Sequence, residues 1–142
     1  MDHTAATDRI PLQLIQGCLV ASIQVDLTEQ VLAQFRQELL ERIASTHVHG
    51  VVLDVSGVEV MDSTDFEMLR MTMSMASVMG AEPIIVGLKP GIVSALVDMD
   101  VDTGDVRAAL NLDDALRMLG ASQAAQATPD PETDLEADAD GE

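Results

Sequence analysis

Four polar residues in the middle of the chain, Asp62, Ser63, Thr64 and Asp65, are the ones best suited to chemistry. All four are of types that begin helices, and a long apolar, helix-favouring segment follows them. A serine hydroxyl at such a position lies in solvent near backbone N–H groups and the positive end of the helix dipole, so a phosphate there is electrostatically tolerated. Ser63 is therefore a candidate phosphoacceptor, and Thr64 is a second candidate. The same pattern also fits a serine that only caps the helix.

A short strand is predicted directly before this cluster. Residues 51–55 form a β-branched apolar run, which is typical of a strand covered on both faces, as in a parallel sheet. Gly57 then breaks the run. We expect Asp54 and Gly57 to brace the turn that presents Ser63.

The helix predicted from about Thr64 to Met79 carries two apolar stripes at helical spacing. The first should face the core and consists of Phe66, Leu69, Met73 and Ala76. The second consists of Met68, Met71, Met75 and Met79. Either the helix is buried on a broad front, or the second stripe contacts a partner, since flexible thioethers suit a surface that engages other proteins. In the second case the partner-binding residues are Asp62, Ser63, Thr64, Met68, Met71 and Met75.

Before this region the sequence predicts a β-hairpin and a helix. Residues 9–14 and 18–24 flank a Gln16-Gly17 turn, and Pro11 favours an edge strand. Asp26 and Glu29 have the spacing of a capping box, so a helix should begin there and continue to about Ser45. Its apolar stripe is Val31, Phe35, Leu39 and Ile43.

After this region the chain continues to alternate. A strand is predicted at residues 83–87, a short helix from about Ile92 to Asp98, and turn residues near 102–104 before a very short strand at Val106-Arg107. Asn111 should cap a last helix that Gly120 stops. Its apolar face is Leu112, Ala115, Leu116 and Leu119.

Other chemistry finds little support in the sequence. His47 and His49 could bind a metal, but no third Cys or His ligand lies near them, so no metal site or cofactor is predicted. Cys18 lies in an apolar run and should be buried as a small hydrophobe. Asp54 ends a strand as a receiver-domain acceptor does, but the acidic pair that such domains need is missing. The sequence also has no glycine-rich phosphate loop and no catalytic triad, so an enzyme is not predicted.

Composition points to one domain of 142 residues with a net charge of −18, too acidic to favour nucleic acid or anionic lipid as a partner. Apolar runs are too short to cross a membrane, and the polar first residues do not read as a secretory signal, so a cytoplasmic protein is expected. Seven acids and no base lie in residues 121–142. We expect a flexible segment at 1–8, a domain at 9–120 and a disordered acidic tail at 121–142.

Three segments in order resemble STAS domains of the anti-sigma factor antagonist family, and the likeness covers roughly residues 9–119. They are RIPLQLIQGCLVASIQ, VVLDVSGVEVMDSTDFEMLR and MGAEPIIVGLKPGIVSAL. The resemblance implies an α/β fold in which a mixed β-sheet with an opening hairpin packs against about four helices. It is greatest to members that form the core of stressosomes. Thr64 departs from that pattern, where an apolar residue is usual, and Val86 stands where related sensor proteins can carry an acceptor threonine.

The resemblance implies a noncatalytic phospho-switch that sequesters a serine/threonine kinase and releases it when Ser63 is phosphorylated. It also implies co-assembly with sensor paralogues that carry STAS domains, in a homo- or hetero-oligomer. Two alternatives remain open on the sequence. One is a stand-alone antagonist that binds an anti-sigma kinase directly. The other is a ligand-sensing or scaffold module in which Ser63 only caps a helix.

Overall fold

The structure, a computed structural model, describes residues 9–100 and 106–127 of the chain. Strands and helices alternate through these residues after an opening pair of strands, as the sequence predicts. The elements are β1 Leu12–Ile15, β2 Cys18–Ser22, α1 Glu29–Thr46, β3 Gly50–Asp54, α2 Ser63–Val78, β4 Glu82–Val86, α3 Pro90–Asp98, β5 Ala108–Ala109 and α4 Leu112–Ala127.

The opening strands form the predicted hairpin. β1 pairs antiparallel with β2, from Leu12 opposite Ala21 to Ile15 opposite Cys18. The two turn residues both have positive φ, 53° at Gln16 and 78° at Gly17, which is the geometry of a two-residue hairpin whose twist matches its strands. β1 is an edge strand, and Pro11 directly precedes it.

The five strands form one sheet in the order β1-β2-β3-β4-β5, and every pair after the hairpin is parallel. The carboxyl ends of β2 to β5 therefore meet at one edge of the sheet, where the β3–α2 loop also lies. Connections between adjacent parallel strands have the same hand, so successive crossover helices pack on one face. The sheet is mixed and the fold is α/β, as predicted.

Two apolar clusters lie on opposite faces of the sheet. The larger one joins α1, α2 and α3 to one face, and includes Phe35, Phe66 and Leu96. The smaller one lies under α4, where Ala115 and Leu119 pack against Val20, Val52 and Ile84. β2, β3 and β4 are thus covered on both sides, which explains their nearly continuous apolar sequences.

α1 begins differently from the prediction. Its N-cap is Thr28, whose side-chain oxygen accepts a hydrogen bond from the backbone N–H of Val31 at 3.1 Å. The predicted capping box beginning at Asp26 is therefore wrong, because the helix starts only at Glu29. The residues that α1 buries are Leu32, Phe35, Leu39 and Ile43, close to the predicted stripe.

α4 continues past its predicted end. Asn111 caps it as expected, accepting from the N–H of Asp114 at 2.8 Å, but the helix runs through Gly120 to Ala127. The predicted stop at Gly120 is therefore wrong, and residues 121–127, which were predicted to belong to the tail, continue the helix. Glycine weakens a helix without having to end it, and Ser122 is held there because Arg107 Nη1 donates to its hydroxyl at 3.4 Å.

Other differences are smaller. The last strand is Ala108–Ala109, two residues beyond the predicted Val106-Arg107. β4 begins one residue earlier than predicted and α2 begins at Ser63 rather than Thr64. The predicted flexible segment 1–8, the turn at 102–104 and the remainder of the tail, 128–142, lie outside the described residues.

Candidate functional site

The start of α2 is built on a reciprocal pair of hydrogen bonds. Asp62 is the N-cap residue, and its Oδ1 accepts from the backbone N–H of Asp65 at 2.8 Å, while Asp65 Oδ2 accepts from the N–H of Asp62 at 3.2 Å. This is a capping box with two aspartates. Ser63 is the first helical residue and is partly exposed, and Thr64 beside it is exposed. The cap is therefore Asp62, and the interpretation of Ser63 as the capping side chain is wrong.

The electrostatics of this turn are dominated by its two carboxylates. Burial, followed by the negative charge of Asp62, raises the pKa of Asp65, while the hydrogen bond from the Asp62 backbone opposes that shift. Ionisation of Asp65 is thus disfavoured first by burial and then by the charge of Asp62, although the helix N-terminus itself favours anions. A doubly charged group on Ser63 would stand between these two acids in the sequence.

The loop before α2 is folded tightly at the end of β3. Asp54 Oδ1 accepts from both the backbone N–H of Ser56, at 3.0 Å, and its hydroxyl, at 2.7 Å. The N–H of Val58 then donates to the carbonyl of Val55 at 2.9 Å, which closes the next turn. These contacts give Asp54 the geometry of a residue that braces the loop leading to Ser63.

Two glycines allow the ends of neighbouring strands to pack closely against this loop. A Cβ on Gly57 would lie 2.9 Å from Gln24 Cγ and 3.2 Å from the carbonyl oxygen of Ile23. Gly87, at φ 83°, passes so near Ser56 that an added Cβ would lie 2.7 Å from the serine Cβ. The loop is thus held between the carboxyl ends of β2 and β4, on a rigid base of parallel strands.

The second apolar stripe of α2 is only partly buried. The first stripe, beginning with Phe66 and Leu69, is buried in the core as predicted. Met68 packs against the core and Met75 is half-buried, whereas Met71 is 52% exposed and Met79 is 44% exposed. α2 is therefore not buried on its whole circumference. The structure places Asp62, Ser63, Thr64, Met68, Met71 and Met75 on one helix, and we name these six residues the α2 surface.

Sequence reasoning missed two features beside this surface. Val60, in the loop before α2, is 78% exposed. In the sequence it stands between Glu59 and Met61, and this pattern indicates an exposed apolar residue only weakly. Lys89 Nζ lies 2.7 Å from Glu59 Oε2 and so ties the β4–α3 connection to the same loop. Nothing in the local sequence signals this pair, because the two residues are 30 positions apart.

His47, His49 and Cys18 lie at the other edge of the sheet, where the parallel strands begin. Cys18 is buried as predicted, its Sγ lies 3.5 Å from His49 Nε2, and burial raises the pKa of the thiol. His47 ends α1 in the left-handed conformation, with φ 55°. Within residues 9–100 and 106–127 no group of three or more acidic, histidine or cysteine side chains has the arrangement of a metal site.

In the part of the chain that the structure describes, no helix combines the length and the apolar character needed to cross a membrane.

The family model of the STAS domain matches residues 9–115. The chain belongs to the STAS domain family. This match spans β1 to the start of α4, so it includes the α2 surface and the loop that positions it. Nothing among curated protein sequences matches the chain.

Solved structures agree with this assignment. A Moorella thermoacetica RsbS variant with a serine-to-glutamate substitution is 29% identical, with a TM-score of 0.69, over 80% of this chain and 97% of that one. A stressosome component, described as part of a signal integration and transduction hub, is 28% identical, with a TM-score of 0.65, over 80% and 98% of the two chains. The anti-sigma factor antagonist SpoIIAA shares the fold at 13% identity, with a TM-score of 0.57, over 75% and 93%. This STAS domain is thus similar to regulatory proteins.

Proposed function

We propose that this STAS domain is a noncatalytic phospho-switch of a stressosome-type complex in the cytoplasm. In its unmodified state the α2 surface binds a serine/threonine kinase. Phosphorylation of Ser63 adds charge to that surface and releases the kinase, which then acts on a downstream regulator.

The observation that supports this proposal is that Asp62, and not Ser63, caps the helix. Asp62 satisfies the helix end, so the hydroxyl of Ser63 is not needed for the cap, and the residue is partly exposed. A phosphate could be added there without breaking the capping box. A serine that held the helix end with its own side chain would lose that hydrogen bond on modification, and the helix would lose about 1 kcal/mol.

The energetics favour release on modification. A phosphate adds roughly −1.5 to −2 charges. On a kinase-bound surface these charges would have to be desolvated next to Asp62 and Asp65, and a loss of about 3 kcal/mol from an interface lowers affinity by about a hundredfold. The favourable interaction of the phosphate with the helix dipole offsets only about 0.3 to 1 kcal/mol of this loss. The modified domain thus stays folded while its contact with the kinase is lost.

Similarity supports the setting of the proposal. The chain resembles an RsbS and a stressosome component over nearly the full length of both. On the basis of this similarity we propose that the domain co-assembles with sensor paralogues that carry STAS domains. Mixing the purified proteins and measuring particle size tests the extension: a large joint assembly supports it, whereas separate small species favour a stand-alone antagonist.

Phosphopeptide mass spectrometry tests the switch itself. The full chain is incubated with ATP and a cognate serine/threonine kinase, and the modified residue is located. Phosphate should appear on Ser63, persist in Thr64→Ala and disappear in Ser63→Ala. Phosphate confined to Thr64, or absent from both residues, would overturn the assignment of Ser63.

A further inference from the structure

A cation of α1 points at the centre of the α2 surface. Arg36 Nη1 donates to the thioether sulfur of Met71, with 3.7 Å between the nitrogen and Sδ. Among the described residues Arg36 takes part in no ion pair, unlike Arg9 and Arg117, which contact carboxylates at 2.9 Å. A charged guanidinium is thus directed at a thioether, which is one of the weakest acceptors in proteins.

Oxidation would turn this weak acceptor into a strong one. Methionine sulfoxide carries a polar oxygen on the sulfur, and reductases return it to the thioether. Because the methionine side chain is flexible, a small rotation places that oxygen within hydrogen-bonding distance of Arg36 Nη1. The donor that a sulfoxide requires is therefore already present on the neighbouring helix.

Met71 is also accessible to a small oxidant. Met71 is 52% exposed, whereas Met73, two residues away on the same helix, is only 6% exposed. Met99, at the end of α3, is 48% exposed, and no hydrogen bond between it and an arginine is found among the described residues. The chain thus supplies one control for exposure and one for the contact with Arg36.

We propose that Met71 is a site of reversible oxidation by peroxide, and that Arg36 holds the resulting sulfoxide. In this step the sulfur gives two electrons to hydrogen peroxide, the O–O bond breaks and an S–O bond forms. One peroxide oxygen stays on the sulfur, and the other leaves as water. The role of the α2 surface as a kinase contact rests on the proposed function; given that role, oxidation places a polar group within the contact.

Site-resolved mass spectrometry of the peroxide-treated full chain tests the oxidation. Met71 should oxidise at least about tenfold faster than Met73, since oxidation follows exposure, and a methionine sulfoxide reductase should reverse it. Equal rates at Met71 and Met73 would overturn the proposal, as would a Met71 sulfoxide that resists the reductase in the folded protein.

The contact with Arg36 is tested with a substitution that imitates the sulfoxide. Met71→Gln places an amide oxygen near Arg36, and it should raise Tm by about 2 to 4 °C more with Arg36 present than in an Arg36→Gln background. Met99→Gln should give the same Tm change in both backgrounds. Additive effects of Met71→Gln and Arg36→Gln would overturn the role of Arg36. Neither experiment uses a kinase, so their failure is distinguishable from a failure to find phosphate on Ser63.

Discussion

Asp62 and Asp65 each accept a hydrogen bond from the backbone N–H of the other, at 2.8 and 3.2 Å, and Ser63 lies between them in the chain. The pair fixes the first turn of α2 with carboxylates alone. Ser63 is therefore not needed to start the helix, and its hydroxyl can be modified while the capping box stays intact.

Stability measurements distinguish the cap from the acceptor. Asp62→Ala should lower the free energy of unfolding by about 1 kcal/mol, because the N–H of Asp65 loses its acceptor. Ser63→Ala should change it by less than about 0.5 kcal/mol, as expected of a surface substitution outside the cap. Urea unfolding of both variants checks this. A larger loss for Ser63→Ala than for Asp62→Ala would contradict the assignment of the cap.

Binding measurements test the charge mechanism. Ser63→Asp should weaken kinase binding, by up to about a hundredfold if the charge is fully desolvated in the interface. Ser63→Ala should bind as the unmodified protein does, since it adds no charge. Titration calorimetry with the cognate kinase measures both, and equal affinities for the two variants would rule out an electrostatic release.

The raised pKa of Asp65 gives a pH dependence with a defined sign. A carboxyl whose pKa is higher in the folded state binds more protons there than in the unfolded chain, so its ionisation costs stability as the pH rises. Asp65→Asn keeps an acceptor oxygen for the N–H of Asp62 but cannot ionise. The stability of Asp65→Asn relative to the unmodified protein should therefore increase from about pH 3 to about pH 7.

Thermal unfolding across that range provides the measurement. Asp62→Asn is not a suitable control, because it alters the cap, whereas Asp113→Asn on α4 leaves the α2 turn unchanged. A relative stability of Asp65→Asn that falls with rising pH would mean that the folded-state pKa is lowered instead.

Gly87 should tolerate no side chain. Its φ of 83° disfavours L-residues, and a Cβ would lie 2.7 Å from that of Ser56. Gly87→Ala should cost at least about 2 kcal/mol of unfolding free energy, from backbone strain and the displaced loop. Gly91→Ala, in α3 with open space around it, should cost nothing. Equal effects in denaturant unfolding would show that the loop is not held at this point.

Gly120 and Gly80 form a second matched pair, since a Cβ on either would meet no atom within 4 Å. Gly120 lies inside α4, so Gly120→Ala should raise the unfolding free energy by about 0.5 to 1 kcal/mol. Gly80 has φ 96°, and Gly80→Ala should instead lower it by about 1 kcal/mol. A destabilised Gly120→Ala would contradict the continuation of α4, and circular dichroism would register any lost helix.

The sequence predicted those parts of the fold whose signals are local. The Gln16-Gly17 turn, the apolar run of β3 and the Asn111 cap each depend on a few adjacent residues, and all three were correct. At α1 two overlapping caps competed, and Thr28 starts the helix where Asp26 was expected, because the chain is still extended at Thr28. At α4, contacts with the sheet and with Arg107 carry the helix past a glycine that local propensity would treat as an end.

The candidate site was predicted only in outline. Ser63 and its acidic neighbours are adjacent in sequence, so their clustering was evident, but which of them caps the helix depends on one rotamer and one φ. Periodicity also separated the two stripes of α2 without saying how deeply each is buried. The contacts of Arg36 with Met71 and of Lys89 with Glu59 join residues about 30 or more positions apart, and no single-sequence pattern encodes them.

The two faces of the sheet are covered unequally by helices, and this difference determines which part of the domain unfolds first. Of the α4 side chains that the structure describes, Ala115 and Leu119 are the ones fully buried against this face, while three helices share the larger cluster opposite. Detachment of α4 therefore exposes one face of the sheet with a smaller loss of apolar contacts than detachment of the three helices on the other face. It leaves the loop between β3 and α2 in place, so the turn held by Asp62 and Asp65 keeps its shape in a partly opened molecule.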